Sequence, residues 1–310
     1  MITVFTPTYN RAELLPKLYK SLCRQTYKDF EWVVVDDGST DETSSVIESL
    51  EFRIENSDSC GCDTELPPLQ GRIRGGFEIR YIRQQNGGKH RAINHGIREA
   101  RGELFFIVDS DDWLPEDSLE TIAKFYETIK DDKSFAGVSG HRGYPDGSIV
   151  GSGQIEEFID ANALDIRYKY HVTGDLNEVF RTSVLRELPF PEYDGEKFCP
   201  EALVWNRIAT KYKLRYFNKV TYFADYQLGG LTANIVRVRM ESPLASTTCY
   251  QELLTHHIPL KQKVKAAINY WRFAACLPAG TTAPQLPWYW RICQPIGLLM
   301  HRRDLQILAH

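Results

Sequence analysis

Four short apolar runs, Ile2–Phe5, Trp32–Val35, Ile79–Ile82 and Phe105–Val108, are separated by longer amphipathic stretches, and this alternation constrains the fold more than any other feature of the chain. Strands that alternate with helical segments build βαβ units around a mainly parallel sheet. Near-continuous apolar character within each run is what strands covered on both faces require. The helices between them show as periodicity. Arg11–Gln25 carries Leu14, Leu15, Leu18 and Leu22 on one stripe, and Ala92–Ala100 and Leu119–Ile129 read the same way. Asp41-Glu42-Thr43 opens a further helix, with acidic groups at the positive end of its dipole.

The pattern stops between Glu55 and Gly76, where Pro67-Pro68, several glycines and the pair Cys60/Cys62 replace any sustained period. An inserted loop is expected over about residues 55–77. From Lys133 to Tyr226, glycine turns such as His141–Gly147 mix with strand-like pieces and a helix expected over Pro200–Lys211; from Met240 the chain reads as largely helical. No run reaches the roughly eighteen apolar residues that span a bilayer, since Trp288–Met300 is interrupted by Arg291, Gln294 and Pro295.

At 310 residues with 43% hydrophobic and 25% charged residues, the chain can bury a large α/β core. Its formal net charge of -4 supplies no basic field, so nucleic acid is excluded as the main partner. Met1–Pro7 lacks the basic and long apolar regions of a signal peptide and reads as a first strand. Seven scattered cysteines form no disulfide framework, and the one-residue spacer of Cys60-Gly61-Cys62 is too short for a zinc knuckle. A cytoplasmic location is expected.

In a parallel α/β sheet the ligand crevice lies at the carboxyl ends of the strands. Here three apolar runs lead directly into polar loops: Thr6-Pro7-Thr8-Tyr9-Asn10-Arg11, Asp36-Asp37-Gly38-Ser39-Thr40-Asp41 and Asp109-Ser110-Asp111-Asp112. Taken singly, each could be ordinary turn chemistry or a solvated helix start. Asp109 and Asp111 are one residue apart, which places their side chains on the same side of extended backbone, able to share a hard divalent cation. A cation held by so few carboxylates fills its shell with water and substrate phosphates, which points to a diphosphate ligand.

These loops, with Asn86-Gly87-Gly88-Lys89 followed by Ala92 and Asn94, resemble as an ordered set the inverting glycosyltransferases of family two, which have the GT-A fold. The resemblance covers roughly residues 1–230. It implies an α/β, Rossmann-like, mainly parallel sheet flanked by helices, with a nucleotide-sugar-binding half over 1–115, an acceptor-binding half over 116–230, and a helical C-terminal extension over 231–310. It implies that Thr6 and Asp37 hold the nucleotide base with Asp36 beside them, that Asp109 lies near the donor ribose or sugar, and that Asp111 binds Mn²⁺ or Mg²⁺. Pro7, Thr8, Tyr9, Arg11, Asn94 and Ser110 join the donor set, and Lys89 faces the donor phosphates or uracil. His90 and Arg91 are expected at the surface.

Inverting transfer needs a base for the acceptor hydroxyl. The family's acidic motif matches Pro200-Glu201-Ala202-Leu203-Val204-Trp205, so Glu201 is the expected base, with glutamate where aspartate is common; a helix-dipole role is the alternative. Asp175 is expected either to bind an acceptor hydroxyl or to cap a helix containing Val179, and His171 either to assist a metal or to pack beside Tyr170.

The implied reaction moves a sugar, from a uridine diphosphate sugar in the reading preferred, to a growing glycan or lipid-linked acceptor in surface polysaccharide synthesis. A sugar-phosphate nucleotidyltransferase would need a glycine-rich, arginine-containing loop in place of Thr6-Pro7-Thr8. A non-catalytic glycan-binding module on the same fold would have no use for Asp109, Asp111 and Glu201. In the extension, Trp288-Tyr289-Trp290-Arg291 and the basic run His301-Arg302-Arg303 suit either peripheral contact with the cytoplasmic face of a membrane or packing on the catalytic domain or a second subunit.

Overall fold

A computed structural model describes residues 1–56, 76–224 and 234–308. Most of the expected inserted loop, including Cys60 and Cys62, lies outside the described residues. The first half alternates β1 (Ile2–Thr8), α1 (Leu15–Cys23), β2 (Phe30–Asp36), α2 (Thr43–Asn56), β3 (Glu78–Arg83), α3 (Lys89–Glu99), β4 (Leu104–Ile107) and α4 (Ser118–Glu127). Each expected strand is present with shifted ends, and the first helix begins four residues later than its periodicity begins. There Arg11 opens a turn, its carbonyl accepting from the amides of Leu14 and Leu15.

The second half contributes β5 (Phe135–Gly143), β6 (Phe158–Ala161), α5 (Ala163–Tyr168), β7 (Leu176–Arg181), α6 (Thr182–Glu187), α7 (Glu201–Ala209) and β8 (Lys213–Phe223). Together the described strands form one sheet in the order β3-β2-β1-β4-β7-β5-β8-β6. β1 to β4 are parallel, as are β5 and β8, whereas β7 and β6 run against their neighbours. The sheet is therefore mixed but mainly parallel. Inserting β7 between β4 and β5 joins the two halves into one continuous surface.

Alternation along the strands feeds two cores. Ile2, Val4, Trp32 and Val34 face α1, α2 and α4 through Leu18, Ile47 and Leu119. Phe5, Val33 and Val35 face the other side, where Ile93, Leu185, Leu203 and Cys249 pack. Burial of this kind is worth about 1.5–3 kcal/mol for each large apolar side chain and holds the strand ends, hence the site, in fixed register.

Four further helices follow: α8 (Ile235–Glu241), α9 (Pro243–Thr255), α10 (Leu260–Ala274) and, after a 3-10 turn over Trp288–Cys293, α11 (Gln294–Leu308). Ala245 and Cys249 of α9 enter the second sheet core. The start of α9 is tied down by Glu196, whose carboxylate accepts from the amides of Leu244 and Ala245 at 2.6 and 2.9 Å. α9, α10 and the 3-10 turn share a smaller core built on Leu254, Ala266, Ala267 and Cys293. No helix among the described residues is long and apolar enough to cross a membrane.

Candidate active site

The loops leaving β1 and β2 are laced together before any ligand arrives. The Asp37 amide donates to the Thr8 carbonyl at 2.9 Å, the Asn10 amide to Ser39 Oγ at 2.9 Å, and the Thr40 amide to Asn10 Oδ1 at 2.8 Å. Asp36 is buried and accepts from the Ser39 amide at 2.8 Å and the Tyr81 hydroxyl at 2.7 Å. Asp37 accepts from Gln84 Nε2 and the amides of Gly87 and Gly88, all within 2.8 Å. A carboxylate that receives backbone amides is a rigid fixture. It sets the turn ahead of α3, where Gly88 has φ 96° and a Cβ would stand 1.8 Å from the Lys197 carbonyl oxygen.

That turn aims the first residue of α3, Lys89, at the centre of the site. Lys89 Nζ lies 2.6 Å from Asp109 Oδ1 and 2.9 Å from Glu201 Oε1. Asp109 follows β4 and Glu201 is the first residue of α7, so one cation joins the ends of a strand and two helices. A lysine at a helix N-terminus opposes the dipole, and the two carboxylates outweigh that cost. Burial alone would push the Lys89 ammonium down, but Asp109 and Glu201 hold it above its ordinary value. Asp109 is held low against its burial by Lys89 and then Arg142. Asp111 moves the other way: burial and the Asp109 charge raise its carboxyl.

Asp111 is therefore an acid poorly compensated by protein, the environment a divalent cation would relieve. Among the described residues no three His, Cys, Asp or Glu side chains gather into a metal site. The donor set fits a cation held by Asp111, with Asp109 beside it, and completed by phosphate and water oxygens. Arg11 adds positive charge felt by both acids. Tyr9 is half exposed at the rim, Ser110 and Pro7 are buried, and the buried Thr8 hydroxyl has no hydrogen-bond partner among the described residues.

Lys89, Asp175, Phe198, Glu201 and Arg239 line a cavity of about 360 Å³. Asp175 is exposed on its wall. It does not cap a helix containing Val179, because Val179 lies in β7 and pairs with β4 and β5. His171 is exposed with φ 56°, so it is not packed beside Tyr170.

Four other expectations change. Thr6 is fully buried and its hydroxyl accepts from Trp32 Nε1 at 2.9 Å, which leaves its side chain no part in holding a base. Asp36 is closed off by Ser39 and Tyr81, as above. Asn94 spends its amide on the carbonyl and amide of Phe190 and on Glu192, anchoring the segment that leads to α7 instead of facing the donor. His90 is 2% exposed, not a surface group; burial, then the nearby Arg91 charge, pull it down to about 4, so it is neutral at ordinary pH. Arg91 is half-buried and donates to the Tyr193 carbonyl at 2.7 Å.

Three residues of the second half enter without having been singled out. The buried Tyr222 hydroxyl accepts from the Asp109 amide at 3.0 Å and donates to Asp112 Oδ2 at 2.5 Å, bracing both ends of the Asp109–Asp112 loop. Arg142 lies 4.3 Å over the Tyr222 ring and 4.0 Å from Asp112 Oδ2. Glu178 of β7 is pushed up to about 7 by burial, with Arg167 and Arg142 opposing and Glu201 adding to the shift. Nothing local marks these positions: Arg142 sits among turn glycines, Glu178 falls in the stretch whose Val179 reads as possible helix, and Tyr222 carries no motif.

Residues 3–185 match the profile described as Glycosyl transferase family 2. Over 233 residues the chain is 30% identical to the GalNAc(5)-diNAcBac-PP-undecaprenol beta-1,3-glucosyltransferase of Campylobacter jejuni, covering 73% of this chain and 64% of that protein. It is 36% identical over 123 residues to Glycosyltransferase GlyA of Streptococcus pneumoniae, 40% of this chain and 14% of that protein. The chain thus spans less than two thirds of the length of either relative. Among solved structures, S. aureus TarS 1-349 in complex with UDP-GlcNAc is similar with a TM-score of 0.57 and 21% identity, over 89% of this chain and 72% of that one. The mannosyltransferase PcManGT from Pyrobaculum calidifontis, in complex with GDP-Man and Mn²⁺, gives 0.56 and 18%, over 99% and 86%. At these identities the likeness shows a shared fold, the GT-A arrangement of a mixed sheet with flanking helices.

Proposed function

The chain belongs to glycosyl transferase family 2, and from that premise we propose that it transfers a sugar from a uridine diphosphate sugar to a hydroxyl acceptor with inversion at the anomeric carbon. The observation that carries this reading is the Lys89 bridge, which brings the carboxylate Glu201 and the strand-end acid Asp109 within reach of one ammonium group beside an open cavity. Glu201 accepts the acceptor's hydroxyl proton as that oxygen attacks the anomeric carbon. The bond to the diphosphate breaks and the diphosphate departs with the electron pair. Lys89 fixes the direction of the Glu201 carboxylate, and Tyr222 holds the Asp109–Asp112 loop in register. Asp111, with Asp109, would hold Mn²⁺ or Mg²⁺, which when bound neutralises charge on the leaving diphosphate.

Donor contacts fall to residues 1–115 through Tyr9, Arg11 and Lys89, with Asp37 holding the turn that presents Lys89, and acceptor contacts to residues 116–230 through Asp175 and the cavity wall. Residues 231–310 form an extension. The acceptor is a glycan or a lipid-linked precursor in surface glycan synthesis, a reading supported by similarity to the poly(ribitol-phosphate) beta-N-acetylglucosaminyltransferase TarS and the undecaprenol-linked glucosyltransferase of Campylobacter jejuni. The reaction takes place at the cytoplasmic face of a membrane that the chain touches peripherally. Incubation with a panel of nucleotide sugars, with Mn²⁺, Mg²⁺ or chelator, tests the reading: metal-stimulated release of UDP is expected, and the proton coupling of the product's anomeric centre reports its configuration. A retained configuration removes Glu201 as base, and no turnover of any nucleotide sugar removes the activity.

A further inference from the structure

Among the described residues, most of the exposed large apolar side chains lie on the last two elements. Trp288 is 81% exposed, Ile292 80%, Ile296 51%, Leu299 67% and Ile307 62%. From Ile292 onward the spacing is four, three and eight residues, with Arg303 filling the gap, which makes one outward stripe on a helix. The opposite side of α11 is locked in place: Gly297 lies against Trp271 and Ile268 of α10, and Asp304 is buried and gripped by both arms of Arg272. The stripe therefore cannot roll inward without breaking an ion pair and a close backbone contact.

Charge along this face has one sign. Arg291, Arg302 and Arg303 are exposed, and the single acid between residues 286 and 308 is Asp304, neutralised on the inner side. An exposed apolar stripe edged by guanidinium groups, with Trp288 and Tyr289 at one end, matches the chemistry of a bilayer interface: acyl chains for the stripe, anionic headgroups for the arginines. We propose that the outer face of the Trp288–Cys293 turn and α11 docks in the plane of an anionic lipid bilayer. A second copy fits less well, because a two-fold contact through the same stripe would bring arginines toward their own counterparts. The proposal rests on the membrane-face reading above only for its purpose; the surface itself stands on exposure and charge.

Co-sedimentation of the full chain with phosphatidylcholine vesicles, with and without phosphatidylglycerol, tests it. Binding is expected with the anionic lipid, falling with salt. Ile296→Glu with Leu299→Glu should abolish it, and Arg302→Gln with Arg303→Gln should weaken it about fivefold per arginine. Both variants should keep the wild-type melting temperature and wild-type transfer to a soluble acceptor, since neither pair lies near the cavity. If the glutamate pair lowers the melting temperature, the arginine pair alone decides. Wild-type chain that ignores anionic vesicles overturns the proposal, as does a dimer in light scattering that the glutamate pair dissolves without any lipid binding. Vesicle binding intact with no turnover of any nucleotide sugar would sink the proposed activity and leave the surface standing.

Discussion

The two rims of the crevice solve opposite electrostatic problems. On the β1–β2 rim the acids are already satisfied: Asp36 and Asp37 take five hydrogen-bond donors from Ser39, Tyr81, Gln84, Gly87 and Gly88. On the β4–α7 rim Asp109 and Glu201 pair with Lys89, the neighbouring Asp111 feels the Asp109 charge with Arg11 and Lys89 opposing it, and Glu178 adds to the acid count. The first rim is a finished cradle whose shape matters. The second is charged in a way that protein alone does not settle, the usual condition of a place where a ligand's charges arrive. Shape on one side and charge on the other predict different failures.

Asp111→Asn should show the largest effect. Removing the carboxylate that suits a cation should abolish turnover and metal stimulation together while leaving the melting temperature unchanged or raised, because a poorly compensated buried charge has gone. Near-normal, metal-dependent transfer would make the charged rim a structural feature only. Glu201→Gln comes next: transfer should fall about 10²–10⁴-fold with nucleotide affinity retained. If Glu201 served only the α7 dipole, the loss would be about 0.3–1 kcal/mol of stability with transfer intact, and kinetics with a melting curve on one preparation separates the two.

Asp37→Ala probes the finished rim and should read differently. Three donors, two of them backbone amides, lose their acceptor, so stability should drop on the order of 3 kcal/mol. Nucleotide affinity should fall with it, as the Gly87–Gly88 turn loosens under Lys89. Titration calorimetry with UDP alongside thermal melting checks this, and unchanged stability would contradict the cradle.

The effect confined to one pH window lies behind the charged rim. Glu178 has a folded value of about 7 against an ordinary 4.5. The folded chain therefore holds more protons than the unfolded one between those values, and its stability declines as pH rises through that window and levels off above it. Glu178→Gln should flatten that slope, a difference on the order of 3 kcal/mol across the window. Parallel pH-dependent slopes for the two proteins would show that Glu178 does not titrate there.

Much of this arrangement is visible in the chain before it folds. Strands covered on both faces must be apolar throughout, so β1, β2 and β4 announce themselves, and the acids that follow them must then stand at one edge of the sheet. Local periodicity likewise reveals α1 and α4. What stays hidden depends on pairing at a distance. That β7 runs antiparallel between β4 and β5 follows from no local pattern, yet it is what sets Glu178 behind Glu201. Tyr222 reaches Asp109 and Asp112 only because β8 crosses to their side, more than a hundred residues away in sequence.

The same division explains the readings that changed. A polar residue in a motif can face a ligand or its own protein, and composition is identical in both cases; Thr6 found Trp32 and Asn94 found Phe190 and Glu192 only once β2 and the segment before α7 had packed. In the Trp288–Cys293 turn and α11 the aromatic and basic residues are plain in the chain, but nothing local says which way they face. The strands, the helices and the order of acids along one sheet edge can be read from the chain alone, because they follow from local spacing and burial. Which acids share Lys89, which polar groups are used up inside, and that the stripe on α11 faces outward emerge only on packing, because those depend on which surfaces meet.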